Sequence, residues 1–170
     1  MKYIIIIVLA VIAVATAGYV IKENNVAGSP TVTPGVEQGG STIIVRAVLD
    51  LSGQGLTKAP TYIFDRTDIE ELNLSNNLLD GALQAEVRHL QNLKVLNLSN
   101  NKFTGVPAEV GQLKNLEVLD LSDNQLTGLP NELGKLSNLK LLDVSGNAYS
   151  EADLAQIRKS LPSSTVIKTQ

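Results

Sequence analysis

Leu93-Lys-Val-Leu96-Asn-Leu98-Ser-Asn-Asn101-Lys-Phe103 decides the fold, because the chain writes it twice more. It returns as Leu116-Glu-Val-Leu119-Asp-Leu121-Ser-Asp-Asn124-Gln-Leu126 and as Leu139-Lys-Leu-Leu142-Asp-Val144-Ser-Gly-Asn147-Ala-Tyr149. The step from Leu96 to Leu119 to Leu142 is 23 residues each time; Leu72 stands 24 before Leu96, and Leu49 stands 23 before Leu72. A fixed period of this size marks stacked supersecondary units, not a single closed core. The period-2 pattern around the second leucine of each unit predicts a short strand. Leu72 and Leu74, Leu96 and Leu98, Leu119 and Leu121, and Leu142 with Val144 then point inward, and their neighbours face the other way.

Asn77, Asn101, Asn124 and Asn147 recur at the point where each strand ends. Backbone amides and carbonyls that turn out of a strand inside a stack have no ladder partner. An asparagine side chain offers donors and an acceptor to adjacent turns, so these four read as a structural ladder and not as ligand contacts. The form L-x-x-L-x-L-x-x-N-x-L, with Leu126-Thr-Gly-Leu-Pro130 following, resembles the leucine-rich repeat family over about residues 43–170. The resemblance implies an α/β solenoid. Short parallel strands would line its curved concave side, with loops and short 3₁₀ or α segments on the convex side. Repeats are expected at about 46–68, 69–92, 93–115, 116–138 and 139–149, closed by a cap over 150–170. Many extracellular members of the family close their ends with cysteine-bearing caps, and some bacterial members are ubiquitin ligases with a catalytic cysteine. This chain has no cysteine, so it departs from both and fits a bacterial-style, cysteine-free stack.

The totals agree. Hydrophobic residues make up 44% but aromatics only 4%, so the apolar mass is aliphatic, as layered rungs require. A net charge of −3 argues against a nucleic-acid partner, which needs a basic surface. Without cysteine there is no disulfide framework, thiolate metal site or cysteine nucleophile.

Residues 3–21 carry no charge, with Lys2 before them and Lys22 after. A helix of that length spans about 28 Å, close to the hydrocarbon thickness of a bilayer. This predicts one transmembrane signal-anchor helix over 1–22, with the N-terminus cytoplasmic and the repeats outside the cytoplasm. The rival reading is a secreted domain released by cleavage near Ala15 or Ala17, where small residues alternate. Residues 23–42, with Pro30, Pro34 and four glycines, read as a flexible linker. Thr42-Ile-Ile-Val45 reads as a short opening strand, and the degenerate first repeat, with Arg46 and Gln54 at the consensus positions, as an end unit.

On the convex side, Val106-Pro107, Val110 and Leu113 match Leu129-Pro130, Leu133 and Leu136, a spacing that fits a loose turn or short 3₁₀ helix. The second repeat lacks the proline and has one more residue, so a more helical segment is expected there. The lone His89 reads as a surface side chain without a catalytic partner. Ser150-Glu-Ala-Asp153 is a helix start; Leu154, Ile157 and Leu161 follow at helical spacing until Pro162. Residues 163–167 are expected to add a last edge strand.

The outward strand residues form three columns: Val48, Glu71, Val95, Val118, Leu141; Asp50, Asn73, Asn97, Asp120, Asp143; and serines at 52, 75, 99, 122 and 145. The first is an aliphatic stripe, the second gives it an acidic edge that favours basic groups on a partner, and the third serves the bend of the backbone. Glu71, Val95, Val118, Asp120, Leu141 and Asp143 are thus the candidate partner-binding residues. Calcium along Asp120, Asp123 and Asp143 is disfavoured, since it needs six to eight converging oxygens. Nothing points to an enzyme, a cofactor or a metal. The expected function is recognition of a protein or peptide by a membrane-anchored scaffold; the alternative is a cell-surface structural or adhesive role without a discrete concave-face ligand.

Overall fold

The computed structural model of the chain describes residues 32–39 and 42–170, with side chains placed from Ala47 onward. The uncharged run at 3–21 lies outside the described residues. Among those described, no helix is long and apolar enough to cross a membrane.

Among the described residues nine strands form: β1 (Val32–Gly39), β2 (Thr42–Asp50), β3 (Glu71–Asn73), β4 (Asp80–Ala82), β5 (Val95–Asn97), β6 (Lys102–Gly105), β7 (Val118–Asp120), β8 (Leu141–Asp143) and β9 (Val166–Lys168). The main sheet has seven of them, in the order β1-β2-β3-β5-β7-β8-β9. β1 pairs antiparallel to β2, and every later pair is parallel. The register sets Leu49 beside Leu72, Leu72 beside Leu96, Leu96 beside Leu119 and Leu119 beside Leu142. All five are fully buried. Each contributes about 1.5–3 kcal/mol before entropy is subtracted, and only because the neighbouring turn covers it.

Val32–Gly39 falls inside the stretch expected to be linker and is strand here. That reading weighed the prolines and glycines above Val32, Thr33 and Val36, whose β-branched side chains suit a pleated surface. Pro34 lies on the outermost strand, the place where a missing amide hydrogen is tolerated. The opening strand expected at 42–45 runs on to Asp50 and supplies the first rung directly.

The convex side is a row of 3₁₀ segments at Thr61–Asp65, Ala85–His89, Ala108–Gln112 and Asn131–Lys135. The second repeat is therefore no more helical than the others, contrary to expectation. Its additional residue is absorbed before the helix, where Gly81 takes φ 69° and the β4–β6 pairing slips between Gly81 and Ala82. A glycine reaches that left-handed conformation without steric cost. Convex segments pack tightly where glycine sits between them: a Cβ on Gly111 would stand 2.2 Å from the Glu132 carbonyl oxygen.

The lower end is closed by α1 (Glu151–Ser160), where the Ser150 hydroxyl accepts the Asp153 amide at 3.4 Å. Leu154, Ile157 and Leu161 are buried under it, and β9 adds a parallel strand to β8.

Candidate binding surface

Because side chains alternate across a strand, burying the leucine rungs turns their neighbours toward the concave side. Register pairing runs Val48–Glu71–Val95–Val118–Leu141–Val166 in one column and Asp50–Asn73–Asn97–Asp120–Asp143–Lys168 in the next. Glu71, Val95, Val118, Asp120 and Leu141 are all half-buried on this face. Val166 extends the aliphatic column by one rung and is 58% exposed, a contribution of the cap strand that the repeat pattern alone did not show.

The second column does more than edge the stripe. The Oδ1 of Asp50, Asn73, Asn97, Asp120 and Asp143 each accepts the backbone amide of the serine two residues on, at 2.9–3.1 Å. In the last three rungs the same oxygen also accepts the serine hydroxyl, at 2.6–2.7 Å. The column thus fastens the end of each strand. Asp143 is fully engaged: its Oδ2 pairs with Lys168 Nζ at 3.2 Å, and the residue is only 7% exposed. Burial pushes its carboxyl up, but the Ser145 hydrogen bonds and the Lys168 ammonium outweigh this and hold it below the ordinary aspartate value. Of the six candidates, Asp143 is the one turned inward to the fold's own use, because β9 brings a lysine to its rung.

A charged column beside the stripe was missed. Glu70, Lys94, Glu117 and Lys140 occupy the position before Glu71, Val95, Val118 and Leu141 in successive repeats, and they alternate in sign. Lys94 pairs with Glu70 at 3.0 Å and Lys140 with Glu117 at 2.8 Å. The signal was present at the repeat period, but the columns were drawn only from residues flanking the second leucine. A further column takes the left-handed conformation: Gly53, Asn76, Asn100, Asp123 and Gly146, with φ from 52° to 67°. Its occupants are the residue types that tolerate positive φ.

The asparagines lie beneath this face, inside the stack. Asn101 Nδ2 donates to the carbonyls of Leu74, Leu98 and Ser99, and its Oδ1 accepts the Leu79 amide. Asn77, Asn124 and Asn147 repeat the arrangement one turn apart. Asn77 accepts two amides, those of Gln54 and Leu56, and so serves the degenerate first repeat. Among the described residues every buried side-chain nitrogen and oxygen is hydrogen-bonded. Asn92, Asn115 and Asn138 form a second, exposed ladder, each donating to a carbonyl of the preceding repeat; the repeated Asn-Leu dipeptide was its signal.

Among the described residues no three His, Asp or Glu side chains stand together as a metal-binding group, and His89 is exposed on the convex side. Two cavities of about 210 and 260 Å³ lie off the strand face, one against Leu161 and Ile167, the other against Ala59 and Phe103.

A family model described as leucine rich repeat matches residues 47–103 and 91–148, together more than half of the chain. This chain belongs to the leucine-rich repeat family. Receptor-like protein 18 of Arabidopsis thaliana is 38% identical over 75 residues, 44% of this chain and 9% of that protein. A solved leucine-rich repeat protein of Leptospira interrogans is 42% identical, covering 66% of this chain and 28% of its own, with a TM-score of 0.61. The plant peptide hormone receptor RGFR1, solved in complex with RGF2, is 32% identical over 73% of this chain and 22% of its own, with a TM-score of 0.58. The chain spans less than a third of the length of each of these three proteins.

Proposed function

We propose that the chain is an extracytoplasmic recognition scaffold that binds a protein or peptide through its concave strand face. One observation carries this reading. Val95, Val118, Leu141 and Val166 stand on consecutive rungs of one register column, half-buried or exposed, and on β5, β7 and β8 the leucine of the opposite face is fully buried. A contiguous apolar stripe rimmed by charge is what a partner covers, and preformed strands need little ordering on binding. Similarity to receptors, one of them solved with RGF2, supports the same reading. Residues 3–21 would hold the scaffold at a membrane, with the N-terminus in the cytoplasm, or direct its secretion. The chemistry is non-covalent recognition without catalysis.

The test is capture of partners from cells by the full chain and by the triple variant V95K, V118K and L141K. The three lysines keep the inward leucines intact, so circular dichroism stays unchanged while a discrete partner is lost. Capture that persists in the triple variant contradicts the concave-face reading. An adhesive role without a discrete ligand predicts no partner specific to the unsubstituted chain.

A further inference from the structure

The ionisable groups of the concave face divide unevenly. Among the described residues every cation on it is already ion-paired: Lys94 with Glu70, Lys140 with Glu117 and Lys168 with Asp143. The groups left without an ion pair are all acids: Asp50, Glu71, Asp120 and Asp123. Glu71 interrupts the aliphatic stripe between Val48 and Val95, and Asp120 borders it two rungs further on, beside Val118. Asp120 uses one oxygen to hold Ser122 and has the other available.

We infer that the partner presents an extended segment with two cationic side chains around a small aliphatic one, laid across the strands with its cations on Glu71 and Asp120 and its aliphatic residue on Val95. This rests on the concave-face reading and adds the chemistry of the ligand. The spacing follows from the sheet. Adjacent strands are about 4.8 Å apart, so Glu71 and Asp120 are separated by about 10 Å along the stack and about 6.6 Å across it, near 12 Å on the diagonal. An extended chain covers about 13 Å in four residues, and residues i, i+2 and i+4 share one face. A cation-x-aliphatic-x-cation segment therefore meets acid, valine and acid in turn. An acidic segment in the same place would face four uncompensated carboxylates, which suppresses wrong partners.

The experiment uses the full chain and two immobilised peptide libraries, one built on the core Lys-x-Val-x-Lys and the other on Glu-x-Val-x-Glu. The variants are E71Q with D120N, and V118K. D120N keeps the fold on this account, since Asn97 already occupies the Asp120 column and its Oδ1 accepts both the amide and the hydroxyl of Ser99. E71Q keeps the shape of a half-buried side chain that has no ion pair among the described residues. The lysine library is expected to retain the unsubstituted chain, with retention falling steeply as salt rises. The E71Q/D120N variant should be held about tenfold more weakly, about 1.4 kcal/mol, with a flatter salt dependence. Equal retention by both libraries, or unchanged retention of E71Q/D120N, overturns the inference. If V118K still abolishes retention in that case, the concave-face reading stands and only the charge assignment falls. Retention of V118K at the level of the unsubstituted chain removes both.

Discussion

Replacing Asn124 by alanine tests how the stack is held together. Its Nδ2 donates to the carbonyls of Leu98, Leu121 and Ser122 at 3.0–3.1 Å, and its Oδ1 accepts the Phe103 amide at 3.0 Å. These losses are unequal. Leu98 O keeps a bond from Asn101 Nδ2, Leu121 O keeps one from Asn147 Nδ2, and Ser122 O keeps one from the Asn100 amide. Each of those carbonyls loses one of two donors, at about 0.5 kcal/mol apiece. The Phe103 amide, in a residue only 4% exposed, loses the acceptor it has, and an orphaned buried donor costs about 1–3 kcal/mol. The sum is about 3 kcal/mol, a large part of the 5–15 kcal/mol that stabilises a typical domain. Urea unfolding followed by circular dichroism should show the midpoint lowered by about 1.5 M at a slope of about 2 kcal/mol/M. Hydrogen exchange should locate the new opening at Phe103. Asn138→Ala is the internal comparison: that side chain is exposed and donates to the Lys114 carbonyl, water can replace its bond, and the expected loss is below about 1 kcal/mol. A loss below about 1 kcal/mol at Asn124, or equal losses at the two sites, would refute the reasoning.

Gly111→Ala should destabilise by about 1–3 kcal/mol, because the new Cβ meets the Glu132 backbone at 2.2 Å. Gly105→Ala, with open space around it and no left-handed φ, should be neutral or stabilising by up to about 1 kcal/mol; thermal melts of the two variants check the contrast. Gly146→Ala combines a φ of 67° with a Cβ 2.4 Å from Asp123 Oδ1, and its melt should fall below that of the unsubstituted chain. The Asp143 carboxyl titrates below its ordinary value of 3.8, so its contribution is complete above that value and is lost as pH falls through the lowered folded one. Urea midpoints measured downward from pH 5 should therefore drop more for the unsubstituted chain than for D143N, which lacks the titrating group.

Much of the fold was open to a reader of the sequence, since a 23- or 24-residue step repeated around Leu49, Leu72, Leu96, Leu119 and Leu142 admits one stacking register. The capping helix was legible for a local reason: Ser150 offers an N-cap, Leu154, Ile157 and Leu161 obey helical spacing, and Pro162 ends it. What was not legible depended on pairing between distant segments. Nothing local in Val32–Gly39 outweighs its proline and glycines; it becomes strand because β2 offers an open edge. The second repeat's added residue looked like a helical insertion, and only the backbone shows that Gly81 absorbs it in a turn. At the candidate surface, strand alternation placed Val95, Val118 and Leu141 without difficulty. It gave no sign that β9 would set Lys168 against Asp143, since residues 25 apart across a broken period have no repeat to align them. The Glu70–Lys140 column was written in the period, at a position that strand alternation around the second leucine does not reach.

The claim on which the functional account depends is that the aliphatic column of the strand face is where a partner sits. A photoreactive residue placed at Val118, and separately at the exposed convex position His89, measures this directly when intact cells are irradiated and adducts are read by mass spectrometry. The account predicts a discrete set of adducts from position 118 that is missing from position 89. The same adducts from both positions, or none from position 118 while the protein is folded and present, would contradict it.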